Sequence, residues 1–220
     1  MKFLLLISLF MFNLLAAPFA QNEINDAAFT DKFIKGIFSE FEELTGQNLV
    51  IKDIRADKHL KSAIYNLYFN GKKKKIPLYN EKTKERELKE VYIPNYREAL
   101  VDLGKTDTLY SAWIGLSITH DRLMRFDSSA KYSRESLQNL VNRYHPRFLK
   151  ILTNNKICYG YMLSIRYYKK YNKDMKKYLT NLKHGYSQCK NTDPKWVSQA
   201  ILHEYVERKS YETLRKRRSK

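Results

Sequence analysis

The sequence contains few of the residues that build turns and thiol chemistry: seven glycines, five prolines and two cysteines among 220 residues. So few glycines and prolines disfavour a turn-rich β-sandwich and favour helices. The two cysteines do not form a CxxC pair and have no further cysteine as a partner, which argues against a redox or metal site. The chain also lacks a glycine-rich phosphate loop and, after residue 15, any apolar run of membrane-spanning length.

The N-terminus carries the one extended apolar run. "MKFLLLISLFMFNLLAAPFAQ" has one lysine, an apolar stretch from Phe3 to Leu15 and then small residues, which is typical of a secretory signal peptide. The run is shorter than the roughly 20 residues that span a bilayer. We therefore expect a signal peptide at 1–20, cleaved after Ala20 or, as second choice, Ala17. The mature protein is expected to be soluble and periplasmic or secreted.

Positive charge is in large excess, with 41 Lys and Arg against 23 Asp and Glu and a formal net charge of +18. An exported protein rarely meets nucleic acid, so the expected partner is an acidic envelope protein or an anionic cell-wall or lipid surface. The lipid surface would give peripheral membrane contact. The alternative is that the lysine excess reflects an AT-rich genome.

Apolar spacing predicts helices over much of the chain. Residues 24–44 form one stripe with Gly46 as its stop, and 48–54 is predicted as a strand or extended linker. Residues 60–80 allow two interpretations. Asn70-Gly71 is typical of a β-hairpin turn, whereas the spacing of five apolar residues favours a helix that stops at Gly71, the interpretation we prefer: Leu60, Ala63, Ile64, Leu67 and Tyr68.

The second half continues the helical pattern. Residues 80–90 are predicted as a solvated helix or linker, and Asn95 with Glu98 has the spacing of a capping box. Asp107 is the expected cap of the next helix. A later helix is expected to be interrupted near Pro146, and Asp193-Pro194 is expected to start the last one, whose end frays into a basic tail.

The two cysteines, Cys158 and Cys189, flank a lysine- and tyrosine-rich segment whose midpoint falls in the turn-like "NKD" at 172–174. Two antiparallel helices joined there would bring the cysteines together at the open end of a helical hairpin. Export supplies oxidising conditions, so we predict a structural disulfide.

Two pairs of similar segments within the chain support repeated hairpins. "AWIGLSI" (112–118) matches "YGYMLSI" (159–165), and "LQNLVNRY" (137–144) matches "LTNLKHGY" (179–186). A helix–loop–helix pattern seen twice is typical of stacked α-hairpins. The predicted fold is mainly all-α, with stacked antiparallel α-hairpins and a short β element near 48–80. Its expected domains are the signal peptide (1–20), an N-terminal helix and linker (21–58), a helical-hairpin repeat domain (59–191) and a C-terminal helix with a basic tail (192–220).

Two segments carry a resemblance to known repeats. "AIYNLYFNGKKKKIP" (63–77) resembles the end of the first helix of a Sel-like or tetratricopeptide repeat, where L-Y-x-N-G is followed by V-P or I-P. "YGYMLSIRYYKKYNKDMKKYL" (159–179) is similar to a tetratricopeptide hairpin. The resemblance implies a bacterial periplasmic helical-repeat protein, and a disulfide that closes each hairpin is familiar in secreted Sel-like proteins.

Catalytic candidates are few. "YSRESLQ" (132–138) is similar to the R-x-E-S segment around the catalytic acid of lytic transglycosylases, which implies Glu135 as acid in a peptidoglycan-cleaving alternative. It also suits an ordinary helix start. His203 and Glu207 lie one helical turn apart without a third ligand, and His120 with Ser117 lacks a nucleophile elbow, so we predict no cofactor and no metal.

The expected function is therefore that of a non-enzymatic adaptor or scaffold. Its predicted partner-binding residues are two lysine clusters and an aromatic strip: Lys72, Lys73, Lys74, Lys75, Lys169, Lys170, Lys176, Lys177, Tyr161, Tyr168 and Tyr171. The alternative for the tyrosines is packing between helices.

Overall fold

The computed structural model describes residues 31–125, 135–192 and 194–218, so the predicted signal peptide lies outside the described residues. These residues are mainly helical with one two-stranded sheet, which confirms the mainly all-α expectation. In chain order the elements are α1 Asp31–Ile37, α2 Phe41–Thr45, α3 Ile51–Ala56, α4 Lys58–Tyr68, β1 Lys72–Tyr79, β2 Arg86–Ile93, α5 Tyr96–Leu103, α6 Leu109–Arg125, α7 Glu135–Asn154, α8 Cys158–Arg166, a π-helix Tyr167–Tyr171, α9 Met175–Cys189 and α10 Lys195–Arg218.

The chain divides into two compact units. Of the described residues, 31–37 and 51–102 belong to the first, and 38–50 and 103–218 to the second. The single helix predicted over 24–44 is divided accordingly, because α1 belongs to the first unit and α2 to the second. Gly46 ends α2 in the left-handed conformation at φ 66°, as expected for a helix stop.

The first unit has a small core of aliphatic side chains from its helices. Ile34, Ile54, Leu60, Ile64 and Leu100 are almost completely buried. The prediction of a strand or linker at 48–54 is wrong, since α3 begins at Ile51 and buries Ile54 on its inner face. The predicted helical face that starts at Leu60 is confirmed in α4.

Polar side chains form hydrogen bonds at the start of α4 and along its length. Asp57 caps its first turn by accepting hydrogen bonds from the backbone N–H groups of His59 and Leu60, each at 3.0 Å. Farther along, the Asp102 carboxylate accepts hydrogen bonds from Ser62 Oγ at 2.6 Å and from Asn66 Nδ2 at 3.3 Å. These bonds satisfy a buried carboxylate and join α4 to the end of the α5 segment.

A β-hairpin follows α4, but it does not turn where the Asn70-Gly71 pair suggested. Strands β1 and β2 pair antiparallel from Lys72 opposite Ile93 to Tyr79 opposite Arg86, and the turn lies at 80–85. Asn80 N donates to Glu85 O at 2.8 Å, and Lys84 takes the left-handed φ of 60° that the turn requires. The predicted solvated helix or linker at 80–90 is therefore wrong.

The second unit packs its helices pairwise and antiparallel. In α6 and α7, Gly115 lies against the Phe148 ring, while Thr119 reaches His145 one turn along. α7 and α8 meet where Gly160 lies against Leu152. Small residues at these points allow close approach of the helices, because any Cβ at either glycine would overlap the neighbouring side chain.

α7 is continuous through Pro146, so the predicted interruption is wrong. Proline removes one backbone donor and usually kinks or breaks a helix. Here the flanking side chains Tyr144, His145, Phe148 and Leu149 are all buried. Burial of four side chains on consecutive turns holds the helix together across the missing hydrogen bond.

The cysteine hairpin has the predicted form. α8 continues into the π-helix, the chain turns at 172–174 and α9 returns, with Asp174 accepting from Lys177 N as its cap. The disulfide Cys158–Cys189 closes the open end with a Cα–Cα distance of 5.6 Å, which confirms the predicted pairing.

The remaining helix-start predictions are corrected or lie outside the described residues. Thr108, not Asp107, caps α6 by accepting from Ser111 N, and Asp107 instead pairs with Arg147 at 2.7 Å. Asp193 lies outside the described residues. α10 is helical as far as Arg218, so the predicted basic tail is helical up to that residue.

Candidate partner-binding surface

The β-hairpin presents the first predicted lysine cluster. Lys72, Lys73, Lys74 and Lys75, called the lysine segment below, occupy the first half of β1, and all four are exposed. Side chains alternate across a strand, so Lys73 and Lys75 lie on one face of the hairpin and Lys72 and Lys74 on the other. Both faces of this end of β1 are therefore cationic.

The lysine segment is weakly neutralised. Lys73 Nζ lies 3.5 Å from Glu90 Oε2 on the opposite strand. Within the described part of the chain, Lys72, Lys74 and Lys75 have no carboxylate within 4.0 Å. An exposed pair such as Lys73–Glu90 contributes only about 0 to 1 kcal/mol, so its charge remains available to a partner.

Apolar side chains are exposed toward the tip of the same hairpin. Leu88 is 70% exposed, Tyr79 58% and Leu78 40%. Pro77 pairs with Leu88, so Pro77, Tyr79 and Leu88 share one face. Sequence reasoning did not find these residues because "RELKEVYI" has no regular apolar alternation, so β2 gave no strand signal.

The second predicted cluster is different, because the exposed Lys169 pairs with two carboxylates of its own unit. Lys169 Nζ lies 2.6 Å from Glu204 Oε1 and 3.7 Å from Glu207 Oε2. Tyr178 Oη donates to Glu204 at 2.6 Å. The hydrogen bond with Glu204 raises the pKa of Lys169 despite its partial burial.

The Glu204 carboxyl is held in its charged form by these contacts. Burial alone would raise the pKa of Glu204, but the hydrogen bonds from Lys169 and Tyr178 and the Lys169 charge lower it below its usual value. Burial, followed by the hydrogen bond to Glu204, raises the pKa of Tyr178, so this phenol remains protonated at neutral pH. Lys169, Tyr178 and Glu204 thus join the cysteine hairpin to α10.

The other three lysines of the second cluster are exposed beside their own neighbours. Lys170 Nζ lies 5.3 Å from the centre of the Tyr171 ring, and Lys177 Nζ lies 5.4 Å from that of Tyr168. Lys177 also lies 3.6 Å from Asp174. Lys176 is exposed on the first turn of α9.

The predicted tyrosine strip is largely internal. Tyr161 is 7% exposed and Tyr168 9% exposed, while Tyr171 is half-buried. Tyr161 Oη donates to Thr153 O at 3.2 Å, and the centre of the Tyr167 ring lies 5.0 Å from that of Tyr168 and 6.4 Å from that of Tyr171. In this structure the first two rings serve helix packing and do not offer a flat exposed aromatic face.

In the described residues, the candidate catalytic and metal-binding side chains are not brought together into a site. Glu135 begins α7, and its side chain lies outside the described part, so the peptidoglycan-cleaving alternative stays a prediction. Ser117 Oγ donates to Ile114 O, as an ordinary helical serine does. His203 and Glu207 are exposed on α10, and the described residues contain no group of three potential metal ligands.

Among the described helices, none is both long enough and apolar enough to cross a membrane. No family model, no curated protein and no solved structure matches the chain. The resemblance to Sel-like and tetratricopeptide repeats therefore stays a prediction.

Proposed function

We propose that this protein is an exported, non-enzymatic helical adaptor that binds an acidic partner protein through the lysine segment of its β-hairpin. The observation that carries the proposal is the contrast between the two lysine clusters. Among the described residues, Lys73 alone of the lysine segment has a carboxylate within 4.0 Å, whereas Lys169 and Lys177 of the second cluster both have one. A cationic surface that the protein does not neutralise itself attracts an anionic one.

The hairpin also supplies the apolar contact area that such an interface needs. Leu78, Tyr79 and Leu88 are exposed next to the lysines, on strands whose main packing partners are each other. Exposed charges attract a partner over long range but contribute little affinity on their own. Apolar side chains beside them favour a protein partner over a bare polyanion, because a protein can cover the apolar surface.

The test is capture of acidic proteins from the envelope fraction by the mature protein, with identification of what is bound. Reversing Lys72 to Lys75 to glutamate should abolish capture. The matched control reverses four exposed lysines of the second unit, Lys150, Lys183, Lys190 and Lys195, which changes the net charge equally.

The two variants separate a local surface from net charge. We expect the control to keep its captured partner, since the partner contacts the hairpin. Equal loss in both variants would show that bulk charge alone governs binding, and equal retention would place the surface elsewhere. Binding to anionic lipid vesicles by the intact protein, lost with Lys72 to Lys75, would replace the protein partner with a lipid one.

A further inference from the structure

Along the free edge of β1, every second residue directs its backbone N–H and C=O groups away from β2. Asn80 N donates to Glu85 O, and antiparallel pairs alternate between hydrogen-bonded and non-hydrogen-bonded. Following the register from that bond, the residues of β1 that direct their backbone groups away from β2 are Lys73, Lys75, Pro77 and Tyr79. In the described residues no third strand pairs with this edge.

Proline and lysine on this edge oppose nonselective pairing. Pro77 has no N–H, so the outward row of donors is interrupted after Lys75. Lysines on an edge strand also oppose addition of another copy of the same strand, because like charges would face each other. An acidic strand reverses the sign of that interaction, so the edge discriminates by charge.

The edge of β2 does not favour an acidic strand in the same way. Its outward residues are Arg86, Leu88, Glu90 and Tyr92 by the same register, and the strand carries Glu87 and Glu90 along with Arg86 and Lys89. An acidic strand there would meet two glutamates as well as two cations. β1 meets it with four lysines in succession and no acidic residue.

We propose that β1 binds an extended acidic segment of the partner protein as a third strand. The segment accepts hydrogen bonds from the N–H groups of Lys73 and Lys75 and donates to their carbonyls, and its carboxylates lie beside the lysine side chains on both faces. Pairing ends at Pro77, where the next donor is missing. This inference rests on the proposed function and adds the geometry of recognition to it.

The test uses a short fluorescent peptide in which pairs of glutamates, one directed to each face of the strand, alternate with pairs of valines, and measures its affinity by anisotropy. Lys75→Pro removes one outward N–H, and Lys75→Ala removes the same charge but keeps that N–H. The chain already accommodates a proline at the equivalent outward position 77. We expect Lys75→Pro to bind about tenfold more weakly than Lys75→Ala, because one backbone acceptor of the peptide loses its donor.

A second arm leaves the protein unchanged, so that folding of a variant is not at issue. The same peptide is N-methylated at alternate amides, in both registers, which removes the row of donors that strand pairing needs. We expect one methylated register to lose binding and the other to keep most of it. On β2, Glu90→Pro and Glu90→Ala should bind the peptide equally.

The outcomes distinguish this inference from the proposed function. If Lys75→Pro and Lys75→Ala bind equally and both methylated peptides bind as well as the parent, strand addition is wrong, although capture by the lysine segment can still hold. If reversal of Lys72 to Lys75 leaves peptide binding and envelope capture unchanged, the proposed function fails as well. A larger loss for Glu90→Pro than for Glu90→Ala would move the added strand to β2.

Discussion

His145 lies inside the second unit as a neutral imidazole, 1% exposed, with its Nδ1 2.8 Å from Thr119 Oγ1. The Tyr167 ring covers it at 4.6 Å between ring centres. Burial, followed by the charge of His120, lowers the pKa of His145 to about 3. Over a wide pH range, His145 therefore binds a proton in the unfolded chain but stays unprotonated in the folded protein.

Because folded His145 stays unprotonated, we expect acid to destabilise the folded protein. The unfolded chain protonates His145 near pH 6.5, whereas the folded protein does so near pH 3, so the stabilisation is complete above pH 6.5 and is lost as pH falls between these values. At pH 5 the loss is about 2 kcal/mol. Urea unfolding at pH 7.5 and pH 5 measures it, and His145→Gln should reduce the difference between the two pH values.

The exposed His184 on α9 provides the control. His184→Gln should leave the pH dependence of unfolding as it is in the parent protein, because the substitution changes an exposed side chain and leaves the buried contacts of His145 intact. An equal pH dependence in the parent and in His145→Gln would contradict a role for His145 and assign the acid effect to carboxylates.

Replacing glycine by alanine is expected to have opposite effects on stability at Gly71 and at Gly36. A Cβ at Gly71 would overlap the Tyr92 ring and lie 2.5 Å from Ile93 O, whereas a Cβ at Gly36 in α1 meets nothing within 4 Å. Gly71→Ala should destabilise the base of the hairpin by about 1 to 3 kcal/mol through overpacking. Gly36→Ala should stabilise the protein by about 0.5 to 1 kcal/mol, because alanine restricts the unfolded chain and favours the helix.

Amide hydrogen exchange resolves the two effects by position. Gly71→Ala should increase exchange in β1 and β2, and Gly36→Ala should slow exchange in α1. Unchanged exchange in the strands of Gly71→Ala would mean that the Tyr92 ring moves aside without cost and that the close approach is not needed.

At the scale of elements, the disulfide hairpin is the part of the second unit with a covalent closure. Cys158 and Cys189 are separated by 31 residues. In the chain-entropy account, closing a loop of this length stabilises the folded state by about 3 to 4 kcal/mol. The double variant Cys158→Ser, Cys189→Ser should unfold at correspondingly lower urea concentration, with the largest loss of protection in α8 and α9.

The redox state of the natural material is measured separately. Thiol labelling of the unfolded, unreduced protein taken directly from the cell envelope should find no free thiol. Two labelled cysteines per chain would show that the disulfide does not form in the cell. The serine variant would then unfold like the parent protein.

The elements that the sequence predicted well are those with a buried stripe or a capping residue. α4 follows the spacing of Leu60, Ile64 and Leu67, and α5 starts where Asn95 Oδ1 accepts from Glu98 N. A short β element was expected near 48–80, where β1 lies, but β2 was not predicted, because both faces of the hairpin are exposed and its strands lack the apolar alternation that burial imposes. The Asn70-Gly71 pair gave a turn signal, but the turn formed ten residues later around Asn80.

The candidate surface was predictable only in part, because charge is visible in a sequence and its neutralisation is not. Lys72 and Lys169 look equivalent as members of lysine clusters. Glu204, which engages Lys169, lies 35 residues farther along the chain and reaches it only after α10 packs on the cysteine hairpin. Likewise, Tyr161 and Tyr168 lie on packed helix faces that no local pattern separates from exposed ones.

For the whole molecule, charge acts on folding and on binding with opposite signs. The formal net charge is +18, so the folded chain repels itself. Salt screens exposed charges over about 10 Å at 0.1 M and more strongly above that. Screening therefore relieves repulsion inside the folded protein, while it weakens attraction between the lysine segment and an acidic partner.

This opposition predicts that added salt raises stability and lowers affinity in the same protein. Between about 0.05 M and about 0.5 M sodium chloride, the urea midpoint should rise while partner capture falls. Reversing Lys72 to Lys75 changes the formal charge by −8, from +18 to +10, and so should reduce the stabilisation by salt. The same variant should show little binding for salt to weaken.

The control that reverses Lys150, Lys183, Lys190 and Lys195 separates the two effects. It lowers the net charge by the same amount, so its stability should depend on salt as weakly as that of the hairpin variant. Its partner binding should remain as salt-sensitive as in the parent, because the lysine segment is intact. If the control loses binding and its salt dependence together with the hairpin variant, net charge rather than the hairpin controls association, and the lysine segment has no special role.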